Sequence, residues 1–206
     1  FDFQSDFIPN LELQASFFLD ENILMQLADL ERFSNKTAYQ LGAYWYTPVP
    51  DLVLIAEYTR IRPYVYTHAN PKNTYTSWDS PLGHPIGPNA DQILFKADYA
   101  LNFITNIFAS YSYTRKGWNI YDENGNLAYN AGGNLFEPHR PELDSDHIKF
   151  LTGDVYNYNN FEVGVSWEAF RDLTFYLSLK HNSAKQVSTG NTTEVTWINF
   201  KFTIEY

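Results

Sequence analysis

Strict alternation of apolar and polar residues is the feature that most constrains how this chain can fold. In the segment 196–206 every second residue from Ile198 to Tyr206 is apolar or aromatic, and Trp197 is the only large aromatic residue on the other face. Successive side chains of a β-strand point to opposite faces, so the segment predicts a strand with one apolar and one polar face. Seven further segments give the same prediction: 11–19, 39–46, 52–66, 93–100, 107–114, 161–168 and 173–180. The chain is therefore predicted to be all-β.

The predicted strand 52–66 changes phase partway along its length. Unbroken alternation would place Arg60 among the apolar side chains. A β-bulge near Thr59 and Arg60 would instead turn Arg60, Arg62, Tyr64 and Tyr66 inward, towards the polar face. We expect such a bulge.

Composition alone leaves two classes of β-protein open. Mean hydropathy is −0.39, and the apolar run at 52–56 is far shorter than the roughly 18 residues of a spanning helix. Aromatic residues nevertheless make up 18% of the chain, with 16 Tyr, 16 Phe and 5 Trp. Short aromatic-rich strands occur in soluble sandwiches, and Tyr and Trp also concentrate at both interfaces of membrane barrels.

The lengths of the predicted connections favour the membrane barrel. Short links at 8–10, 48–51, 101–106 and 170–172 alternate with long ones at 21–36, 68–91, 116–160 and 182–194. Barrels of the bacterial outer membrane have short periplasmic turns and longer extracellular loops. We therefore predict a transmembrane antiparallel β-barrel, integral to the outer membrane and in contact with its lipid and lipopolysaccharide, with the long loops outside.

The number of strands suggests a part of a larger barrel. Residues 1–7 resemble the lower half of a ninth strand, whereas bacterial barrels have even strand numbers. An open sheet would also leave unpaired backbone groups in lipid. We expect 1–206 to be the C-terminal eight to nine strands of a barrel of roughly 16–18 strands. A complete eight-stranded barrel with a frayed N-terminus is the alternative.

The net charge excludes one class of partner, and individual charged residues are candidates for the lining of the lumen. The formal net charge is −10, which makes nucleic acid an unsuitable partner. Charged residues are expected to line the lumen together with Tyr64, either as an ion-paired wall or as the selectivity lining of a pore. The predicted lining residues are Arg60, Arg62, Tyr64, Lys96 and Asp98.

The segment 68–91 is the main candidate site. Prolines and glycines restrict or permit particular backbone shapes, so a loop rich in both is expected to be ordered. The predicted loop-shaping residues are Pro81, Gly83, Pro85, Gly87 and Pro88. Aromatic faces stack on sugar rings, and amide or carboxylate groups bond sugar hydroxyls. The predicted polysaccharide-binding or lumen-plugging residues are Tyr75, Trp78, His84, Asn89 and Asp91. A plug without any binding role remains an open alternative.

Two other segments contain residues typical of metal sites, but their simpler interpretation needs no ligand. Asn124 and Gly125 predict a tight hairpin turn, and the calcium-loop pattern that Asp122 begins lacks the required Glu at its twelfth position, where Gly133 stands. The acidic residues around Asp144, with His139 and His147, form either a cation site or, more simply, a solvated loop. No cofactor and no metal is predicted.

A hydrolase remains a minor alternative. Ser80, His84 and Asp91 share one loop with Asp79. Nucleophilic catalysis needs a positioned base and an orienting group, and closeness in sequence supplies neither. We predict no catalytic residue.

Three runs carry a family resemblance. The run YTRIRPY at 58–64, the run PLGHPIGPNAD at 81–91 and the run QLGAYWY at 40–46 are similar to the capsule assembly (Wzi) family. That resemblance implies a large outer-membrane barrel with a periplasmic helical bundle, acting as a lectin for capsular polysaccharide. No helical bundle is predicted in this sequence. The leading hypothesis is polysaccharide binding through extracellular loops. The alternatives are a porin or carbohydrate-selective channel and a structural subunit of an envelope complex.

Overall fold

A computed structural model describes residues 1–20, 29, 31–78 and 80–204. Within these residues, nine strands form one antiparallel sheet. In order across the sheet they are β1 (Asp2–Ile8), β2 (Leu11–Leu19), β3 (Thr37–Tyr46), β4 (Leu52–Ile61), β7 (Ala90–Asn102), β8 (Thr105–Trp118), β11 (Asp154–Phe170), β12 (Leu173–Gln186) and β13 (Thr192–Ile204). The prediction of an all-β, antiparallel fold is confirmed.

Elsewhere in the described part of the chain, four short strands form two small hairpins outside the main sheet. They are β5 (Thr76–Ser77) with β6 (Ser80–Pro81), and β9 (Ile120–Tyr121) with β10 (Leu127–Tyr129). One turn of 3-10 helix spans Pro71–Asn73. The main sheet is open, with β1 and β13 as its edges.

No helix within the described ranges is long and apolar enough to span a membrane.

The register sorts side chains by face across the whole sheet. Phe200 pairs with Leu177 and Leu177 with Val165, so one row of apolar side chains crosses three strands. Many large apolar side chains of this face remain exposed: Ile198 has 71% of its surface accessible and Phe200 65%. The opposite face carries the polar residues, such as Lys201. We call these surfaces the apolar face and the polar face.

Short connections meet at one end of the sheet, which we call the turn end. They span 9–10, 47–51, 103–104 and 171–172. Asn10, Asp51 and Asp172 hold the left-handed φ angles of three of these turns, at 62°, 62° and 65°. Asn and Asp tolerate this conformation better than other side chains. Local turn chemistry therefore explains why the strands reverse here.

Connections at the opposite, loop end differ in length from the prediction. They span 20–36, 62–89, 119–153 and 187–191. The predicted loops 116–160 and 182–194 are shorter because the strands on either side run further than expected. The last connection is no longer than the turn at 47–51, so the predicted sorting of loop lengths is wrong for it. Most of the predicted loop 21–36 lies outside the described residues.

The predicted bulge near Thr59 and Arg60 is wrong. β4 pairs with β3 and β7 without any shift of register, and it ends at Ile61. Pro63 has no backbone N–H to continue the ladder, so the strand stops without a bulge. Arg60 therefore lies on the apolar face at the loop end, where its guanidinium sits 4.0 Å from the ring centroid of Phe150.

A small apolar core lies where the polar face meets the loop end. Ile61 and Ala38 of the sheet pack with Val65 and Tyr66 of the segment 62–89. Phe18 and Ile86 pack against the same cluster. This core holds the segment 62–89 against the polar face.

Candidate functional site

Several polar contacts fasten the segment 62–89 to the strands beneath it. The Tyr66 backbone N–H donates to Asp20 Oδ2 at 2.7 Å, and Lys36 Nζ donates to the Thr67 carbonyl oxygen at 2.6 Å. The Tyr66 ring lies 5.4 Å from Phe18, centroid to centroid. The segment is an ordered cover over part of the polar face.

The predicted loop-shaping residues act in different ways. A Cβ on Gly83 would lie 2.5 Å from the Tyr66 ring, so only glycine permits this contact. Gly87 has a φ of +66° and its N–H donates to the His84 carbonyl oxygen at 3.0 Å, closing a turn. Pro88 is fully buried, whereas Pro81 and Pro85 are exposed.

Lys116 of β8 holds the end of the same segment. Its Nζ donates to the carbonyl oxygens of Ile86 at 2.9 Å and Pro88 at 2.5 Å. The same Nζ lies 4.6 Å from the ring centroid of Trp118. Burying an ammonium is costly, and the two carbonyl dipoles and the ring face offset part of that cost for Lys116.

Asn89 is a buried junction between three parts of the chain. Its backbone N–H donates to the Arg62 carbonyl oxygen at 3.2 Å, and its carbonyl accepts from the Gly117 N–H at 2.9 Å. Its side-chain Oδ1 accepts from the Leu151 N–H at 2.8 Å. Its Nδ2 donates to the carbonyl oxygens of Gly117 and Thr152. With 0% of its surface accessible, Asn89 offers no contact area to a polymer.

Asp91 is also engaged within the protein. Both its carboxylate oxygens accept from Arg115, with Nε at 2.9 Å and Nη2 at 2.6 Å. The Tyr58 hydroxyl lies 3.4 Å from the same carboxylate. Register places Asp91 beside Arg60 on the apolar face at the loop end, away from the polar face.

Tyr75, Trp78 and His84 keep accessible surface. Trp78 is 99% exposed at the tip of the β5–β6 hairpin, and Tyr75 is half-exposed while its ring stacks on Tyr66 at 5.6 Å. His84 is half-buried, and burial lowers its pKa below the ordinary value of 6.5 despite the opposing charge of Glu57. This shift favours the uncharged imidazole of His84 at neutral pH.

The residues predicted to line a lumen divide into three groups. Lys96 and Asp98 lie on the polar face. Arg62 and Tyr64 follow the end of β4 and are covered by other loops, and burial lowers the pKa of Arg62 and raises that of Tyr64. The Tyr64 hydroxyl donates to the Asn130 carbonyl oxygen at 3.0 Å. Arg60 lies on the apolar face, because the expected bulge is absent.

The Asn124–Gly125 hairpin is confirmed. Gly125 has a φ of +81°, and the Asp122 carboxylate accepts the N–H groups of Asn124 and Asn126 at 2.9 and 2.8 Å. These hydrogen bonds, led by those from Asn126, hold the pKa of Asp122 below its ordinary value. Its carboxylate is thereby used within the turn.

The acidic loop residues have protein partners. Asp144 forms an ion pair with Arg140 at 2.6 Å, and His147 Nε2 lies 2.8 Å from Asp29 Oδ2. His139 lies 3.6 Å from Asp146. Across the described part of the chain, no three His, Cys, Asp or Glu residues are grouped so as to hold a metal ion.

The candidates for catalysis use their hydrogen bonds elsewhere. His84 Nδ1 accepts from the Ile86 N–H at 3.4 Å, and Asp91 is occupied by Arg115. Ser80 lies exposed in β6. Asp79 lies outside the described residues.

A further aromatic cluster lies on the polar face at the loop end. Tyr156 and Tyr158 stack at 5.9 Å with their rings 20° apart, and Trp118 Nε1 donates to the Tyr158 hydroxyl at 2.9 Å. Beside them, Gln186 Nε2 donates to both Asp154 carboxylate oxygens at 2.8 Å. Trp118 is 41% exposed. An exposed indole beside two half-buried tyrosine rings, an amide and a carboxylate suits a polyhydroxylated ligand.

The alternation pattern does not predict this cluster, because all five residues lie in the predicted loops 116–160 and 182–194. Extending the alternation of 161–168 backwards through Tyr158 and Tyr156 would have found two of them. Their proximity to Trp118 and Gln186 depends on the pairing of β11 with β8 and β12.

Comparison of the chain with protein-family models and with curated proteins gives no match in either case.

Proposed function

We propose that this chain forms part of the wall of an outer-membrane β-barrel and holds surface polysaccharide at its loop end without catalysis. The observation that carries the proposal is a sheet with an exposed apolar face and a polar face covered, at one end, by ordered loops that display aromatic side chains. The resemblance to the capsule assembly (Wzi) family agrees with it.

The distribution of aromatic residues on the apolar face supports the membrane part of the proposal. Tyr58 and Tyr113 lie towards the loop end, and Trp45, Tyr99 and Trp167 lie towards the turn end. Aliphatic side chains and Phe occupy most of the surface between them, and Tyr111 lies there beside Phe95 and Phe161. An apolar band flanked by two aromatic girdles is typical of outer-membrane barrels.

The rigidity of the loop end supports the binding part. Buried contacts such as those of Asn89 hold the loops in one arrangement, which lowers the entropy lost on binding. Trp78 and Tyr75 then present accessible ring surface on that fixed base. Stacking on sugar rings needs such exposed faces.

Retention of native surface polysaccharide by whole cells tests this function. We expect the double variant Tyr75→Ala, Trp78→Ala to lower retention about tenfold, because each lost ring contact weakens binding. Phe103→Ala removes an equally exposed ring at the turn end and serves as the matched control. Unchanged retention in the double variant would show that these two rings are not the site.

A carbohydrate-selective channel is the second candidate. The pairing of Glu162 with Lys180 at 3.1 Å on the polar face favours it, since paired charges are a suitable pore lining. Conductance across a planar lipid bilayer separates the two functions. A covered lectin barrel is expected to pass little steady current, whereas a channel passes current that sugars block.

A further inference from the structure

A polar pocket lies on the polar face, away from the loop segment 62–89. It has a volume of about 190 Å³, close to the size of one sugar ring, and it opens between β8, β11, β12 and β13. The side chains that define it are Ser110, Asn160, Glu162, Lys180, Asn182 and Trp197.

Strand register explains how these side chains meet. Lys180 pairs with Glu162 on one side and with Trp197 on the other. In the next row towards the loop end, Asn160 pairs with Asn182. Two adjacent rows of a continuous sheet therefore form the pocket, and no loop residue is needed to build it.

The charges of the pocket cancel. Lys180 Nζ lies 3.1 Å from Glu162 Oε2, and the Tyr176 hydroxyl donates to Glu162 Oε1 at 3.0 Å. One cation and one anion leave the pocket without net charge. An uncharged ligand rich in hydroxyl groups matches this balance better than a polyanion does, because hydroxyls donate to the carboxylate and accept from the ammonium.

Three side chains of the pocket have unused hydrogen-bonding groups. Trp197, Asn182 and Ser110 form no side-chain hydrogen bond with any described residue, although Asn160 next to them donates to Ser112 Oγ at 3.3 Å. Trp197 has 37% of its surface accessible. An indole face, an indole N–H donor and a free amide are the groups that sugar-binding sites combine.

We propose that this pocket binds one uncharged pyranose ring of a polysaccharide or oligosaccharide, stacked on Trp197 and hydrogen-bonded by Glu162, Lys180 and Asn182. This inference rests on the proposed carbohydrate-binding function and gives it a second contact, separate from Tyr75 and Trp78. A sugar chain held by the loops would place a further sugar ring in this pocket on the polar face.

Binding of uncharged and charged probes to the full chain in detergent micelles tests the proposal. The probes are β-1,4-linked glucose hexamer, α-1,4-linked glucose hexamer and galacturonic acid hexamer, measured by isothermal titration calorimetry. We expect at least one glucose hexamer to bind and the acidic hexamer to bind more weakly. Trp197→Ala is expected to weaken the binding about tenfold and Trp197→Phe to restore most of it.

Asn182→Leu provides a second variant that retains the indole and is also expected to weaken binding. Trp78→Ala serves as the comparison at the loop site. Unchanged affinity in Trp197→Ala and Asn182→Leu, or preference for the acidic hexamer, would overturn the pocket while leaving the proposed function intact. Failure of whole cells to retain any polysaccharide would instead remove the proposed function itself.

Discussion

Asn89 links β7 to β8 and to the end of the 119–153 loop through its side chain and its backbone. Its φ of +54° lies in the left-handed region, which Asn tolerates better than most residues. Conformation and hydrogen bonding both favour Asn at this position. The residue predicted to bind a ligand instead organises the loops that carry the exposed rings.

Replacing Asn89 should therefore destabilise the loop end. In Asn89→Ala the Leu151 N–H and the Thr152 carbonyl lose their partner, and each buried polar group left unpaired costs about 1–3 kcal/mol. Urea unfolding of the folded protein in micelles measures the loss. Asn191→Ala, at an exposed turn position, is the control and is expected to change the unfolding free energy little. Equal effects of the two variants would contradict the role of Asn89.

Asp144 should make the stability of the 119–153 loop depend on pH. Burial opposes its ionisation, but hydrogen bonds from Arg140 and Asn130 outweigh burial and hold its pKa below the ordinary value of 3.8. A lowered folded-state pKa contributes stability above the unfolded-state value and loses it as the pH falls through the folded value. We expect backbone hydrogen exchange in 129–146 to increase below ~pH 4. In Asp144→Asn this increase in hydrogen exchange at low pH should be absent. If the increase persists, a group other than Asp144 causes it.

At the scale of single elements, β11 shows how closely side chains pack on the polar face of the sheet. Gly164 pairs with Phe108 of β8 and Ser178 of β12. The Phe108 ring extends over Gly164 and stacks on Tyr176 with centroids 5.2 Å apart. A Cβ on Gly164 would lie 2.3 Å from the ring of Phe108 and 2.7 Å from the backbone oxygen of Leu177. Glycine at this position allows an aromatic stack to cross the strand.

Alanine at two glycines of the polar face should have opposite effects. Gly164→Ala forces the Phe108 ring and a backbone oxygen to move, which we expect to cost about 1–3 kcal/mol of unfolding free energy. Gly42→Ala meets only ordinary contacts at 3.8 Å and should gain about 0.4–1 kcal/mol by restricting the unfolded chain. Thermal unfolding in micelles compares them. If both variants change the unfolding temperature by similar amounts, the aromatic stack over Gly164 does not restrict the size of the residue at that position.

At the scale of the whole molecule, the sheet separates two environments. One face exposes large apolar side chains such as Phe200, and the other carries the paired charges of Glu162 and Lys180. In water the exposed apolar face would be unfavourable, since contiguous apolar patches of this extent seldom occur on soluble monomers. A lipid environment removes that cost.

Charges introduced on opposite faces of one strand should therefore differ in effect. Leu177→Lys puts an ammonium on the apolar face, where a lipid-facing position near mid-bilayer costs about 2–4 kcal/mol. Thr174→Lys puts one on the polar face opposite Glu168 and should be tolerated. Insertion into lipid vesicles, followed by protease protection, measures the difference. If Leu177→Lys inserts as well as Thr174→Lys does, the apolar face does not contact lipid.

Local patterns determined the strands, their two faces and the turns at one end. The alternation of Phe200, Lys201 and Phe202 depends only on the two-residue period of a strand, so the sequence suffices to predict it. The Asn124–Gly125 hairpin likewise depends on local turn chemistry. The closed barrel, its position in a membrane and the ligand stay predictions.

Only the tertiary structure decided how the loop end is arranged. Asn89 is buried because of how β4, β7 and β8 pair and how the 119–153 loop packs, none of which a two-residue period contains. The period alone does place Arg60 on the apolar face, and the structure shows that β4 keeps this period to its end at Ile61. The pocket at Trp197 likewise required the register of β11, β12 and β13. A sequence period determines which face a side chain occupies, whereas pairing between distant strands determines which other side chains lie beside it.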